Sequence, residues 1–211
     1  MFEKPWFQKL NKIADWIIRI VILNIVLVVF SIGIVTLYIG FKVAYELFKD
    51  YTEGKETPLF KGIWELTKKD FLKNLGLGAL LAFLIAFGIL NMYYYNNNIK
   101  ADASWFYYMG FFVTFMFTVG VYLIAIYSVS VFHLFAEISI KNGFKLSFYL
   151  AGKYLFRTLL LLMINVIPFL LLFNPYTAPF FVLCGLSVPA VLNVLLTRKP
   201  LNFLKGEERN V

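Results

Sequence analysis

His133 and Glu137, in the stretch VFHLFAEI, stand four residues apart. A continuous helix would place the imidazole and the carboxylate on one face, one turn from each other. That pairing can relay a proton or supply half of a metal site. The chain has a single histidine and no second carboxylate cluster close by in sequence, so a catalytic metal lacks ligands. The plainer expectation is a His–Glu pair at the cytosolic end of a membrane helix, with Lys141 within reach. A second set, Lys42, Glu46 and Lys49, falls at i, i+4 and i+7 and forms one stripe on a helix. With Arg19 upstream it makes a candidate polar network of Arg19, Lys42 and Glu46. The competing account is snorkelling of long side chains toward water.

No P-loop, GxSxG, HExxH or paired-carboxylate constellation is present. The chain therefore reads as non-enzymatic, with no cofactor and no metal. The lone Cys184 leaves no partner for an intrachain disulfide or a CxxC site. The N-terminal stretch to Asp15 is aromatic and basic. No small-x-small site follows the next apolar run, so no cleavable signal is expected.

The elements that must carry these groups are membrane helices. The 211 residues are 61% hydrophobic and 15% charged, with a mean hydropathy of +0.76, outside the range of soluble domains. Uncharged stretches at about 20–41, 75–98, 103–136, 158–174 and 175–197 each approach or exceed the roughly 20 residues that cross a bilayer. The expectation is an all-α polytopic transmembrane bundle of five or six crossings, one domain over 1–211. Cytosolic interfacial amphipathic helices are expected at about 58–74 and 138–157. Aromatic clusters at 91–98 and 104–109 mark one water boundary. Asn24, Asn91, Asn165 and Asn193 lie in four different apolar segments, where they either join helices by hydrogen bonds or line a polar path. The net charge of +8 suits cytosolic loops and anionic lipid headgroups rather than nucleic acid.

The run SIGIVTLYIGFKVAYEL, Ser31 to Leu47, leaves two topologies open. As the tail of one span it divides the basic residues fifteen against five across the membrane. Broken at Ser31, Gly33 and Thr36 and returning as a hairpin over about 6–49, it places nineteen of the twenty on one side. The positive-inside rule favours the hairpin. The cost is a lysine, Lys42, carried about 13 Å into the membrane along the return helix.

These positions resemble the YesL-like family of small bacterial membrane proteins. Phe30, Ser31 and Thr36 match at the break, with Ala44 and Tyr45 in the return helix. Phe60, Trp64, Lys68, Phe71 and Asn74 match in the amphipathic stretch, and Gly185, Pro189 and Ala190 in the last span. Where this chain has Gly33 the family usually has proline. The resemblance implies a multi-pass protein of the bacterial plasma membrane with most basic loops and the C-terminus in the cytoplasm. It also implies an accessory role in carbohydrate uptake or sensing. The partners would be lipids and an ABC-transporter permease, a sensor kinase, or a second copy. A small transporter or channel for a polar solute is the alternative, and an embedded lipid- or peptide-modifying enzyme comes last.

Overall fold

The computed structural model describes residues 5–101 and 104–206, and among them every regular element is helical. The chain begins with α1, Pro5–Ile32, whose last carbonyls are taken up locally. Ser31 Oγ donates to the Val28 carbonyl at 2.7 Å. Thr36 Oγ1 shares its proton between the carbonyls of Phe30, at 2.7 Å, and Gly33, at 2.6 Å. The Thr36 amide closes the turn onto the Gly33 oxygen at 2.7 Å. These are the groups that a helix end leaves unpaired, so the break needs no proline. Gly33 supplies room rather than left-handed backbone, since a Cβ there would lie 2.8 Å from Thr36 Oγ1.

The next helix, α2 (Leu37–Thr52), returns along α1. Gly40 meets Phe30, the Trp16 ring stacks on Phe48 at 6.4 Å, and the Arg19 guanidinium lies 3.9 Å over Tyr51. Later residues of α2 thus meet earlier residues of α1, which defines an antiparallel hairpin.

Around nearly its whole circumference α2 is buried: Ile39, Leu47 and Phe48 are fully covered, and Lys42 and Glu46 on its flanks are nearly so. Contacts from α1, α4, α5 and α9 surround it. By contrast the longer, more apolar helices expose large side chains outward, such as Val29, Phe83, Phe106, Phe112 and Phe169. This inversion, polar inside and apolar outside, suits a bundle solvated by hydrocarbon.

The stretch 58–74 divides. An amphipathic helix, α3, occupies Leu59–Lys68, with Phe60 and Trp64 exposed beside Lys61 and Gly62 packed on Leu47. Asp70 then adopts φ 54°, the left-handed region that Asp tolerates better than most residues, and this ends the segment. Phe71 to Asn74 belong instead to α4, Phe71–Ala101, which pairs with α5, Trp105–Leu134. Gly88 faces Thr118 and Gly110 faces Tyr95, a register that runs the two helices antiparallel.

The second amphipathic stretch is α6, Ile140–Lys153, capped by Ser139 and folded back on α5 through Phe132 and Phe144. Tyr154 alone separates it from α7, Leu155–Phe173. The Asn174–Pro175 turn follows, with the Tyr176 amide donating to Asn174 Oδ1 at 2.9 Å. The short α8 (Ala178–Phe180), a π-helical turn over Phe181–Gly185 and α9 (Ser187–Lys205) complete the bundle.

Among the described residues four helices are long and apolar enough to cross a membrane: Trp6–Ile32, Phe71–Ala101, Trp105–Leu134 and Leu155–Phe173. The pair Ala178–Gly185 and Ser187–Lys205, bent by 46°, makes a fifth if it is one span. The return helix of the hairpin is not among them, because its 16 residues include Lys42, Glu46 and Lys49. The protein is a multi-pass helical bundle with one short, polar helix at its centre.

Candidate functional site

The polar stripe of α2 finds its partners on two other helices, α4 and α5. Lys42 and Glu46 are each less than a tenth exposed, so each needs a partner. The Lys42 ammonium donates to Asn74 Oδ1 at 3.1 Å, and Asn74 Nδ2 donates in turn to the Lys69 carbonyl at 3.1 Å. The departure from helix at Lys69–Asp70 therefore serves Lys42. It leaves the Lys69 carbonyl free to fix the carboxamide that receives the ammonium.

One turn further on, Glu46 Oε1 lies 3.4 Å from His133 Nδ1, and Lys49 Nζ lies 2.7 Å from His133 Nε2. An ammonium can only donate, so Nε2 is the acceptor and the imidazole proton sits on Nδ1, directed at the Glu46 carboxylate. The result is an ordered row of ammonium, imidazole and carboxylate crossing from α2 to α5 and back. Its chemistry is charge compensation. Tyr45 packs its ring edge-on to His133 at 5.8 Å, and its hydroxyl lies 3.1 Å from Thr197 Oγ1 on α9.

Two expected groupings are not assembled. His133 does not meet Glu137, because α5 ends at Leu134 and Phe135 turns the chain at φ −122°, ψ 79°. The four-residue spacing no longer measures one helical turn, and Glu137 is exposed. Arg19 does not join Lys42 and Glu46 either. It pairs with Asp15 on its own helix at 2.9 Å and stacks on Tyr51, on the α1 side of the hairpin. The break residues Ser31, Gly33 and Thr36 do act together, as described above. Among the described residues no three His, Cys, Asp or Glu side chains are placed to hold a metal ion.

The four apolar-segment asparagines do not share one path: Asn165 and Asn193 line one cavity, and Asn24 and Asn91 lie elsewhere. Asn91 and Asn165 each donate to a carbonyl one turn back on their own helices, those of Phe87 and Leu161. Asn24 is fully buried and clasps the π-helical turn. Its Nδ2 donates to the carbonyls of Phe181 and Val182 at 2.8 and 2.6 Å, while its Oδ1 accepts from the amides of Leu186 and Ser187 at 2.8 and 2.9 Å. The junction between π turn and α-helix frees those backbone groups, and one carboxamide satisfies them. Hydrogen bonding between helices is one of the two expected roles for Asn24, and its target, the π-helical turn, is what the sequence does not reveal. The available signal was a lone amide in an uncharged run, together with Pro189 near the start of the last helix.

A cavity of about 170 Å³ opens between α2 and α9 beside this row, lined by Lys49, Glu53, Arg198, Asn202 and Lys205. The Glu53 carboxyl is held below its usual range, chiefly by the hydrogen bond from Lys55 at 2.8 Å. It stays anionic, and three cations from two helices outnumber it. The chain matches no protein-family model, no curated protein and no solved structure.

Proposed function

We propose that the chain is a non-enzymatic subunit of the bacterial plasma membrane. It would act through contact with another membrane protein, an ABC-transporter permease or a sensor kinase serving carbohydrate uptake, with its basic loops in the cytoplasm. The identity of the partner rests on the YesL-like resemblance of the break, the α3 region and the last span.

The observation that carries an accessory role over conduction is the fate of the intramembrane amides. Asn24, Asn91 and Asn165 are bound to backbone rather than arrayed along a channel, and the buried charges are satisfied by each other and by Asn74. A conducting protein needs polar groups left free to exchange with a solute. Here Asn24 clasps one element to another, while Asn91 and Asn165 are tied to carbonyls of their own helices.

Affinity purification of the tagged full chain from its native membrane, in a mild detergent and after in-cell crosslinking, tests the reading. Transporter permease or sensor-kinase peptides should be enriched over an untagged control. Recovery of the chain with neither, under both conditions, overturns it.

A further inference from the structure

A second chamber, of about 240 Å³, lies in the apolar part of the bundle, bounded by α2, α4, α5, α7 and α9. Tyr38, Ala82, Ile126, Pro168 and Asn193 represent the five walls. No charged side chain is among its lining residues, so an ion entering it would lose its hydration with nothing to replace it. On its walls Asn193 Oδ1 is buried without a hydrogen-bond partner, and the Tyr38 hydroxyl, on a residue only 8% exposed, lies beside Ser128. An orphaned polar atom in an apolar interior costs about 1–3 kcal/mol, and buried polar atoms in native structures are nearly always satisfied.

We infer that this chamber binds a neutral, hydroxyl-headed hydrocarbon chain drawn from the bilayer. Asn193 Oδ1 can only accept, so the occupant must carry a donor, and the Tyr38 hydroxyl can donate to the same group. A hydroxyl is the smallest uncharged group that does both. The volume sets the rest. An engineered apolar cavity of about 150 Å³ holds benzene and stays dry, so 240 Å³ admits a longer aliphatic segment. Roughly eight methylene-sized groups fit at about 30 Å³ each, taking the share of a liquid water as the measure. Water alone is a poor tenant, since it needs two to four polar partners and most of the wall is hydrocarbon. The inference is independent of the partner proposed above.

The test uses the purified full chain in phosphatidylcholine nanodiscs, with 1-dodecanol, dodecane and dodecanoate as probes. Bound probe is counted by native mass spectrometry at equal mole fraction in the bilayer. Dodecanol should bind about tenfold more tightly than dodecane, and dodecanoate more weakly than dodecanol. Tyr38→Phe and Asn193→Leu should each cut the alcohol-over-alkane preference about fivefold, the worth of one hydrogen bond. Ala82→Phe, which fills the chamber, should abolish binding of both probes while the variant's thermal unfolding stays cooperative. Equal binding of alcohol and alkane to the wild type overturns the inference. So does a preference that survives in both polar variants, or undiminished dodecanol binding to Ala82→Phe. If a variant does not fold, the wild-type comparison of alcohol with alkane decides.

Discussion

Lys49 Nζ sits 2.7 Å from His133 Nε2, joining the return helix of the hairpin to the end of α5 and fixing the imidazole tautomer that serves Glu46. Replacing His133 by Phe leaves the largely buried Glu46 carboxylate without its nearest partner. It should destabilise the protein by about 2 kcal/mol, less than a fully buried broken pair because both groups retain some exposure. In the His133→Phe background, Glu46→Gln should recover part of that loss. Guanidinium unfolding in detergent measures the double-mutant cycle, and additive single effects would show that the two residues are not coupled.

Glu137 should behave as a bystander. Glu137→Ala is expected to change stability by less than about 0.5 kcal/mol, as for other exposed residues away from special features, whereas Glu46→Ala lowers it measurably. The same unfolding assay makes the comparison. Equal losses for the two carboxylates would contradict the end of α5 at Leu134.

Two glycines of α4 should respond in opposite directions. A Cβ on Gly78 would collide with the Val35 carbonyl oxygen, whereas nothing lies within 4 Å of one on Gly76. Gly78→Ala should cost about 1–3 kcal/mol through overpacking against the hairpin tip. Gly76→Ala should gain up to about 1 kcal/mol from helix propensity alone. Thermal unfolding of the two variants, two residues apart on one helix, reads the difference in sign.

The antiparallel hairpin places the start of α1 and the α2–α3 loop at the same end of the bundle, with the α4–α5 turn at the other. In a Cys184→Ser background, cysteines at Lys9 and Lys55 should react alike with a membrane-impermeant maleimide applied to intact cells, and one at Asn97 oppositely. Opposite labelling at Lys9 and Lys55 would require α1 and α2 to form one crossing.

How far the sequence reveals this fold depends on whether the deciding interactions are local. The break at Gly33–Thr36 is legible, because charge partition and the Ser/Gly/Thr chemistry of a helix end both lie within a short window. The interior position of α2 is not legible from hydropathy, which rewards apolar residues with burial. In hydrocarbon the stripe of Lys42, Glu46 and Lys49 is what must be enclosed. The His133–Glu137 pairing fails for another reason. Phe135 to Glu137 contain no strong helix breaker, so α5 ends where α6 must fold back onto Phe132. The 58–74 helix fails similarly at Asp70, where the backbone is bent to present a carbonyl to Asn74.

The Asn24 clasp also imposes an order on biogenesis. Its four backbone partners lie 157 to 163 residues further along the chain. At about 5–20 residues per second, Asn24 waits roughly 8–30 s after its own synthesis before they are made. During that interval a bare carboxamide lies in an apolar stretch of α1, attractive to any helix offering a carbonyl. Until Phe181 to Ser187 are made, that carboxamide has none of its native partners, so the last segment of the chain completes the packing of the first.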